Sequence, residues 1–393
     1  MDRLSRLLVC LIALALCSCG PAAPRLLDQQ VYVWQRLWRD GHTQALADSH
    51  ADFSTLRVLA LQAHPSAGWG QAQVDLSALA RDARPTVAVL RIDGQLGTLS
   101  ANAVAEQLDE IAKRWRAAGV NLMGLELDHD AATARLPAYA AFVAQIRTHL
   151  KSQTTLSITA LPAWLSSPYL ETLLGNVDRS VLQVHAVERP EHGLFNPEQA
   201  KEWLTAYAQR SPTPFYLALP AYSVAVTASG AIESEVALRE GGARQELRAD
   251  PEAAARLLTW LRNNAPAKLE GVVWFRLPLP GDHRAWPLIT LKAVANQQPL
   301  NARLTLKRHE QSGYTALELA NLGNVPTALP ARIRFITRDC IGADALSPYR
   351  LERQNRHLDY IRQHPHELAA GATLPLGWAR CAHLKQGDVD ELP

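Results

Sequence analysis

A chain of 393 residues is too long for one small domain and long enough to bury a large core. Its net charge of +2 gives no reason to expect nucleic acid or an acidic polymer as partner. Ten tryptophans are many for this length, and they suit either a core or a groove whose indole faces meet sugar rings.

Arg3 and Arg6 precede an apolar run, 7–16, that is too short to span a bilayer and has the layout of an export signal. No later stretch approaches the length of a membrane span. Export means an oxidising compartment. Cys340 and Cys381 lie far from the signal region, and they are expected to form a disulfide. No His or Cys stands beside them at ligand spacing, so zinc is not expected there.

Residues 31–35 read as a strand, followed by 56–64, which Pro65 ends, and by 86–94. Ser100 is placed to cap a helix running to 118, with Val104, Leu108, Ile111 and Trp115 at helical spacing and Gly119 at its end. The fourth strand is 120–130. Pro137 opens a helix with Tyr139, Phe142, Val143, Ile146 and Leu150 on one stripe. Strand 155–161, a short helical stretch at 169–174 and strand 180–186 follow. Asn196-Pro197 starts another helix, and 215–220 is the seventh strand. An insertion with a hairpin around Gly241-Gly242 comes next. Asp250-Pro251 opens a helix to Asn264, 271–276 is the eighth strand, and a last helix follows His283.

Eight strands mostly separated by helices predict a (β/α)8 TIM barrel, with an open doubly wound sheet as the competing α/β architecture. From 301 the character changes. Segments 303–307 and 315–319 flank a glycine turn, and 331–336 alternates, which predicts a small C-terminal β-sandwich-like domain. Its last stretch has no readable pattern. The expected boundaries are a signal at 1–18, a tether at 19–29, the barrel at 30–297 and the β-domain at 298–393.

The fourth strand carries three acids spaced two apart. Strand alternation puts Glu126, Asp128 and Asp130 on one face and Leu125 and Leu127 on the other. Acids at the carboxyl end of a barrel strand stand where such enzymes keep their chemistry. Two close carboxylates cannot both ionise cheaply, so one is raised, as protonation of a glycosidic oxygen requires. Asp130, nearest the mouth, is the expected general acid, with Asp128 tuning it and Glu126 holding Asp128 protonated. The same parity brings Gln62, His64, Arg91, Asp93, Gln183, His185, Tyr222, Trp274 and Arg276 to the mouth. Of these, Arg91, Asp93, Gln183, His185, Tyr222, Trp274 and Arg276 are expected to bind substrate.

Other readings remain. The acids also read as an ion cluster with Arg91 or Arg276 that only braces the barrel. Asp128, Asp130, His64 and His185 form a conceivable cation set, but no metal-binding motif accompanies them. No Gly-x-Ser-x-Gly elbow appears, so a Ser-His-Asp nucleophile is not expected, and with no nucleotide-binding glycine loop no cofactor is expected. His129 points to the helix side. Trp69 and Trp164 sit in loops, as sugar floor or as packing.

Three resemblances add to this. Leu16-Cys17-Ser18-Cys19-Gly20 resembles a bacterial lipoprotein signal whose Cys19 is lipidated, with an ordinary secretory signal as the alternative. It implies a lipid anchor at the cell envelope, on an outer membrane and facing the periplasm. Met123-Gly124-Leu125-Glu126-Leu127-Asp128-His129-Asp130 resembles the Asp-Gly-x-Asp-x-Asp-x-Glu signature of chitinase-like glycoside hydrolase family 18. Leu217-Ala218-Leu219-Pro220-Ala221-Tyr222, Val273-Trp274 and Gln183-Val184-His185 resemble its seventh, eighth and sixth strands. The chain departs from that pattern at Met123, at Asp130 in place of the acidic Glu, and in lacking the sixth-strand Tyr-Asp that steadies an acetamide. As a whole the chain resembles bacterial lipoproteins of domain-of-unknown-function family 3142, on residues 31–38, the Leu127-Asp128 strand end and 156–162. Together these imply a glycoside hydrolase-like protein acting on a cell-envelope or exported glycan, with a non-catalytic glycan binder or an envelope scaffold as alternatives.

Overall fold

A computed structural model describes residues 26–64, 68–94, 96–97, 99–150, 154–185, 193–227, 232–233 and 244–390. The signal segment, Cys19 and the Gly241-Gly242 turn lie outside the described residues.

Eight parallel strands form the core of the larger unit: β1 (Asp28–Val33), β2 (Thr55–His64), β3 (Thr86–Ile92), β4 (Leu122–His129), β5 (Thr155–Ala160), β6 (Arg179–Gln183), β7 (Phe215–Pro220) and β8 (Leu269–Phe275). Each pairs with the next in chain order, and β1 pairs with both β2 and β8. The sheet is therefore a closed barrel, and the open-sheet alternative is excluded. One helix follows each strand: α1 (Asp40–Ser49), α2 (Leu76–Asp82), α3 (Ala101–Ala117), α4 (Leu136–His149), α5 (Leu170–Leu174), α6 (Pro197–Arg210), α7 (Pro251–Asn264) and α8 (Leu288–Ala295). A short strand, Gly68–Gln71, folds back antiparallel on the end of β2.

Local chemistry explains most of these boundaries. The Asn196 side chain accepts from the Glu198 and Gln199 amides, and Asp250 accepts from that of Glu252, so α6 and α7 start where their cap residues stand. Ser100 occupies the N-cap of α3 without a side-chain cap bond. Gly119, at φ +83°, turns the chain out of α3 in a conformation that side chains resist. The stripe Val104, Leu108, Ile111 and Trp115 is buried against the barrel. Helices α1 and α2 escape the sequence reading. The first buries a mixed set of His42, Ala45, Leu46 and Ser49, and the second is too short to show a period.

Two apolar layers hold the barrel. Leu125, Leu127, Leu156, Ile158, Leu217 and Leu219 pack outward against the helices. Val89, Val181, Ala218 and Val273 pack inward with Tyr32 and Tyr216. A Cβ at Gly124 would run into Thr155, so glycine there lets β4 and β5 meet closely.

The C-terminal unit is one six-stranded antiparallel sheet, made of β9 (Leu304–Gln311), β10 (Tyr314–Asn321), β11 (Arg332–Ala345), β12 (Tyr349–Gln354), β13 (His357–Arg362) and β14 (Thr373–Asp390), in the order β9-β10-β14-β11-β13-β12. A two-stranded ribbon, Thr327–Ala328 with Glu367–Leu368, accompanies it. Ile333, Phe335, Leu358, Tyr360 and Leu376 lie in its core. The stretch without a readable pattern forms β12 to β14. Cys340 and Cys381 face each other on β11 and β14, with Cα atoms 3.9 Å apart, and are joined by a disulfide. No described helix is long and apolar enough to cross a membrane.

Candidate functional site

The inward residues of β4 build the site at three levels. Deepest is Glu126, which is fully buried. Its Oε1 accepts from Tyr32 Oη at 2.7 Å, and its Oε2 accepts from Ser157 at 2.9 Å and from Arg57 Nη1. Arg57 also donates to Gln30 Oε1 at 2.9 Å and lies over the Tyr216 ring. Burial, and then Glu126, push ionisation of the Tyr32 hydroxyl well above its usual range, so it stays a donor. Glu126 is thus occupied by Arg57, Tyr32 and Ser157. The expectation that it holds Asp128 protonated is not met. Arg57 escaped the parity reading because β2 shifts register between Leu59 and Leu61, which turns both Arg57 and Gln62 inward.

Asp128 forms the middle level and is 3 % exposed. Its Oδ1 accepts from Thr159 at 2.7 Å and Gln183 at 3.3 Å, and its Oδ2 accepts from Arg91 Nη1 at 2.8 Å. Burial raises its pKa, Arg91 pulls it back, and the Asp130 charge raises it again. Arg91 reaches two more acids: Asp130 through Nη2 at 2.7 Å and Asp93 through Nε at 3.1 Å. Asp93 also accepts from Gln62, whose own carbonyl accepts from Arg36 at 2.8 Å. Asp130 stands at the rim with its side chain 45 % exposed. The buried, raised carboxyl is therefore Asp128, and Asp130 is presented as a hydrogen-bond acceptor held by Arg91.

In an eight-strand circle, β7 and β8 stand opposite β3 and β4. That far wall is aromatic. Phe275 meets Trp34 edge-on at 5.1 Å and Tyr222 at 5.3 Å between ring centroids. His185 stacks on Phe275 at 5.9 Å, and its Nδ1 lies 3.2 Å from the Tyr222 hydroxyl. Burial lowers the His185 pKa to about 4, against a smaller opposing pull from Asp130, so the ring is neutral. Its Nε2 is buried without a hydrogen-bond partner among the described residues.

Arg91, Asp93, Asp128, Asp130, Gln183, His185 and Tyr222 thus converge as the strand alternation requires. Two expected site residues do not. Trp274 is fully buried on the helix side of β8, its Nε1 donating to Gln29 Oε1 at 2.8 Å, so it cannot floor a ligand. The inward face of this strand is the one that carries Val273 and Phe275, the opposite of the expected face. Arg276, beyond the strand end, is buried in a fork with Asp282 at 2.9 Å. Trp164 is packing, with its indole nitrogen on the Ala131 carbonyl, whereas Trp69 is 39 % exposed on the hairpin beyond β2. His129 lies on the helix side, bonded to the Ile92 carbonyl, as expected. Trp34 is the aromatic that sequence reasoning missed. It lies two residues after the inward Tyr32, which was the available signal.

Among the described residues no group of three or more His, Cys, Asp or Glu is placed to hold a metal ion. Arg91 fills the space between the acids where a cation would sit.

The profile of a domain of unknown function, DUF3142, matches residues 82–280, and the chain belongs to that family. A second profile, the domain of unknown function DUF8456, matches residues 304–382. No curated protein matches. Among solved structures, the spore cortex-lytic enzyme SleL of Bacillus cereus superposes with a TM-score of 0.51 at 12 % identity, over 70 % of this chain and 75 % of that one. A chitinase from Chromobacterium violaceum gives 0.50 at 14 %, over 69 % and 98 %. The SleL of Bacillus megaterium gives 0.50 at 13 %, over 70 % and 75 %. At these identities the likeness establishes the (β/α)8 barrel fold alone. The family match begins in α2, so Arg91, Asp128, Asp130 and Phe275 lie inside it, while Trp34 and Arg57 lie before it.

Proposed function

We propose that this DUF3142-family barrel binds a glycan across its carboxyl mouth, between the Arg91–Asp93–Asp130 wall and the Trp34–Phe275–Tyr222 wall. The observation that carries the reading is this pairing of opposite walls. A sugar ring has C–H faces that pack on aromatic rings and hydroxyls that bond to carboxylates and guanidinium groups. Sites for small ligands combine an apolar surface with a few converging polar groups in the same way. The export signal and Cys19 support a lipid-anchored location, where the available glycans are those of the envelope or those exported past it.

A second reading, hydrolysis of that glycan, is favoured by one observation. Asp128 is a buried carboxyl with a raised pKa directly beneath Asp130, and a raised acid is the proton source that glycosidic cleavage needs. Asp130, once released by Arg91, would take the proton from Asp128 and hand it to the glycosidic oxygen, leaving Asp128 ionised beside Arg91.

The deciding experiment is a panel of envelope and exported polysaccharides, scored for binding and for release of reducing ends. Wild type, Asp130→Asn and Trp34→Ala are compared. Glycan binding should weaken in Trp34→Ala. If release accompanies binding and falls by orders of magnitude in Asp130→Asn while binding persists, the protein is a hydrolase. Binding without release makes it a binding protein. No binding to any glycan would sink both readings.

A further inference from the structure

We propose that the cleft between the barrel and the C-terminal sheet continues the mouth and holds further sugars of an uncharged glycan chain. The inference rests on the glycan reading of the mouth and specifies its ligand: a chain of several neutral sugars, held in part by the C-terminal domain.

The cleft has a volume of about 1030 Å³, at the top of the range that holds a drug-sized ligand and more than one sugar fills. Its barrel side is the 278–288 loop after β8, the start of α7, and Tyr222 with Ser223. Its other side is the C-terminal unit, at residues 325–326 and 367–372. Tyr222 connects the two sites, because it lines this cleft and also packs on Phe275 and His185 in the mouth. A chain lying over the aromatic wall therefore leads toward the domain junction.

The loop wall is held in place before any ligand arrives. Arg276 forks onto Asp282, Tyr222 bridges to Ala285, and the Trp286 amide and indole donate to the carbonyls of Ala221 and Ala249, each at 2.8 Å. A prepared wall lowers the ordering cost of binding.

The charges indicate a neutral ligand. Around the cleft Arg284 pairs with Glu246 at 2.7 Å, Arg256 with Asp250 at 3.7 Å, and Arg248 with Glu367 at 3.6 Å across the two domains. With Arg276 on Asp282, these pairs leave Asp48 and Glu252 as an excess of acid in the lining, which turns a polyanion away. The mouth has three acids around Arg91, which repels one. Pro278, Leu279 and Ala369 add an apolar lining for sugar faces.

The test measures the affinity of the full chain for neutral cello- and chito-oligosaccharides, as disaccharides and hexasaccharides, with an alginate hexasaccharide as the anionic probe. Variants are Ala369→Trp and Pro280→Trp, which fill the cleft from exposed positions on either side, and Trp34→Ala in the mouth. Melting temperatures confirm that each folds. A neutral hexasaccharide should bind about tenfold tighter than its disaccharide, a gain of ~1.4 kcal/mol. Either filling variant should remove that gain and leave the disaccharide unchanged, while Trp34→Ala weakens both. If the gain survives both filling variants, or the alginate probe binds tighter than the neutral one, this inference fails while the mouth reading stands. If no neutral oligosaccharide binds, or Trp34→Ala changes nothing, the mouth reading fails and takes the cleft with it.

Discussion

Two arginines sit among carboxylates inside the same barrel, one layer apart, and they are arranged in opposite ways. Arg57 has one acid, Glu126, and that acid has three donors around it, all out of reach of solvent. Arg91 has three acids, Asp93, Asp128 and Asp130, in a setting that opens to the rim. The lower layer is a closed network in which each charge meets its partner. The upper layer has surplus acceptors and an open side. A network complete in itself has nothing left to offer a ligand, whereas one with excess carboxylate at a barrel mouth does. The acids of β4 thus divide into a brace and a site, although the strand pattern presents them as one set.

Removing Glu126 should have the largest effect. Glu126→Ala leaves Arg57 charged and unpaired in the barrel interior, at an expected cost of about 3–5 kcal/mol in urea unfolding. A loss as small as that from a rim substitution would erase the distinction between the layers. Arg91→Ala should cost less, roughly 1 kcal/mol, because its pairs are partly screened by solvent. It should also raise the Asp128 pKa further, as a carboxyl titration followed by NMR would show, since Arg91 is what pulls that value down. An unchanged Asp128 titration would mean the two are not coupled.

The smallest effects lie in the pH dependence. His185 titrates near 4 when folded and near 6.5 when unfolded, so between those values the unfolded chain binds the extra proton. Stability should fall as pH drops through that window, and His185→Phe should flatten the slope. Asp128 works in the other direction. Its folded carboxyl is raised, so the folded chain keeps the proton longer, and its contribution is lost as pH rises from the ordinary carboxylate range to the raised value. Asp128→Asn should remove that component alone.

Much of the fold is legible from period and punctuation. All eight barrel strands follow from their apolar runs, the first three without a readable helix between them, and α6 and α7 follow from an Asn or Asp followed by Pro. The inward set on β3, β4 and β6 follows from alternation. Alternation fails where a strand is irregular. The register shift in β2 hides Arg57, whereas β8 alternates regularly from Gly271 to Phe275 and its inward face is the apolar one, so choosing the polar face trades Phe275 for Trp274. Which acid is raised is not a sequence property, because it depends on depth in the barrel: Asp128 is shielded where Asp130 is wet. The cleft is also invisible in sequence, since it exists only where two domains meet.

The most direct measurement compares Asp130→Asn with Glu126→Gln, recording glycan affinity and melting temperature for each. The account predicts a crossed result: Asp130→Asn alters binding or turnover with little change in melting temperature, and Glu126→Gln lowers the melting temperature. If Asp130→Asn lowers melting as much as Glu126→Gln and leaves glycan binding and turnover untouched, the rim cluster is a second brace and the barrel mouth is not the site.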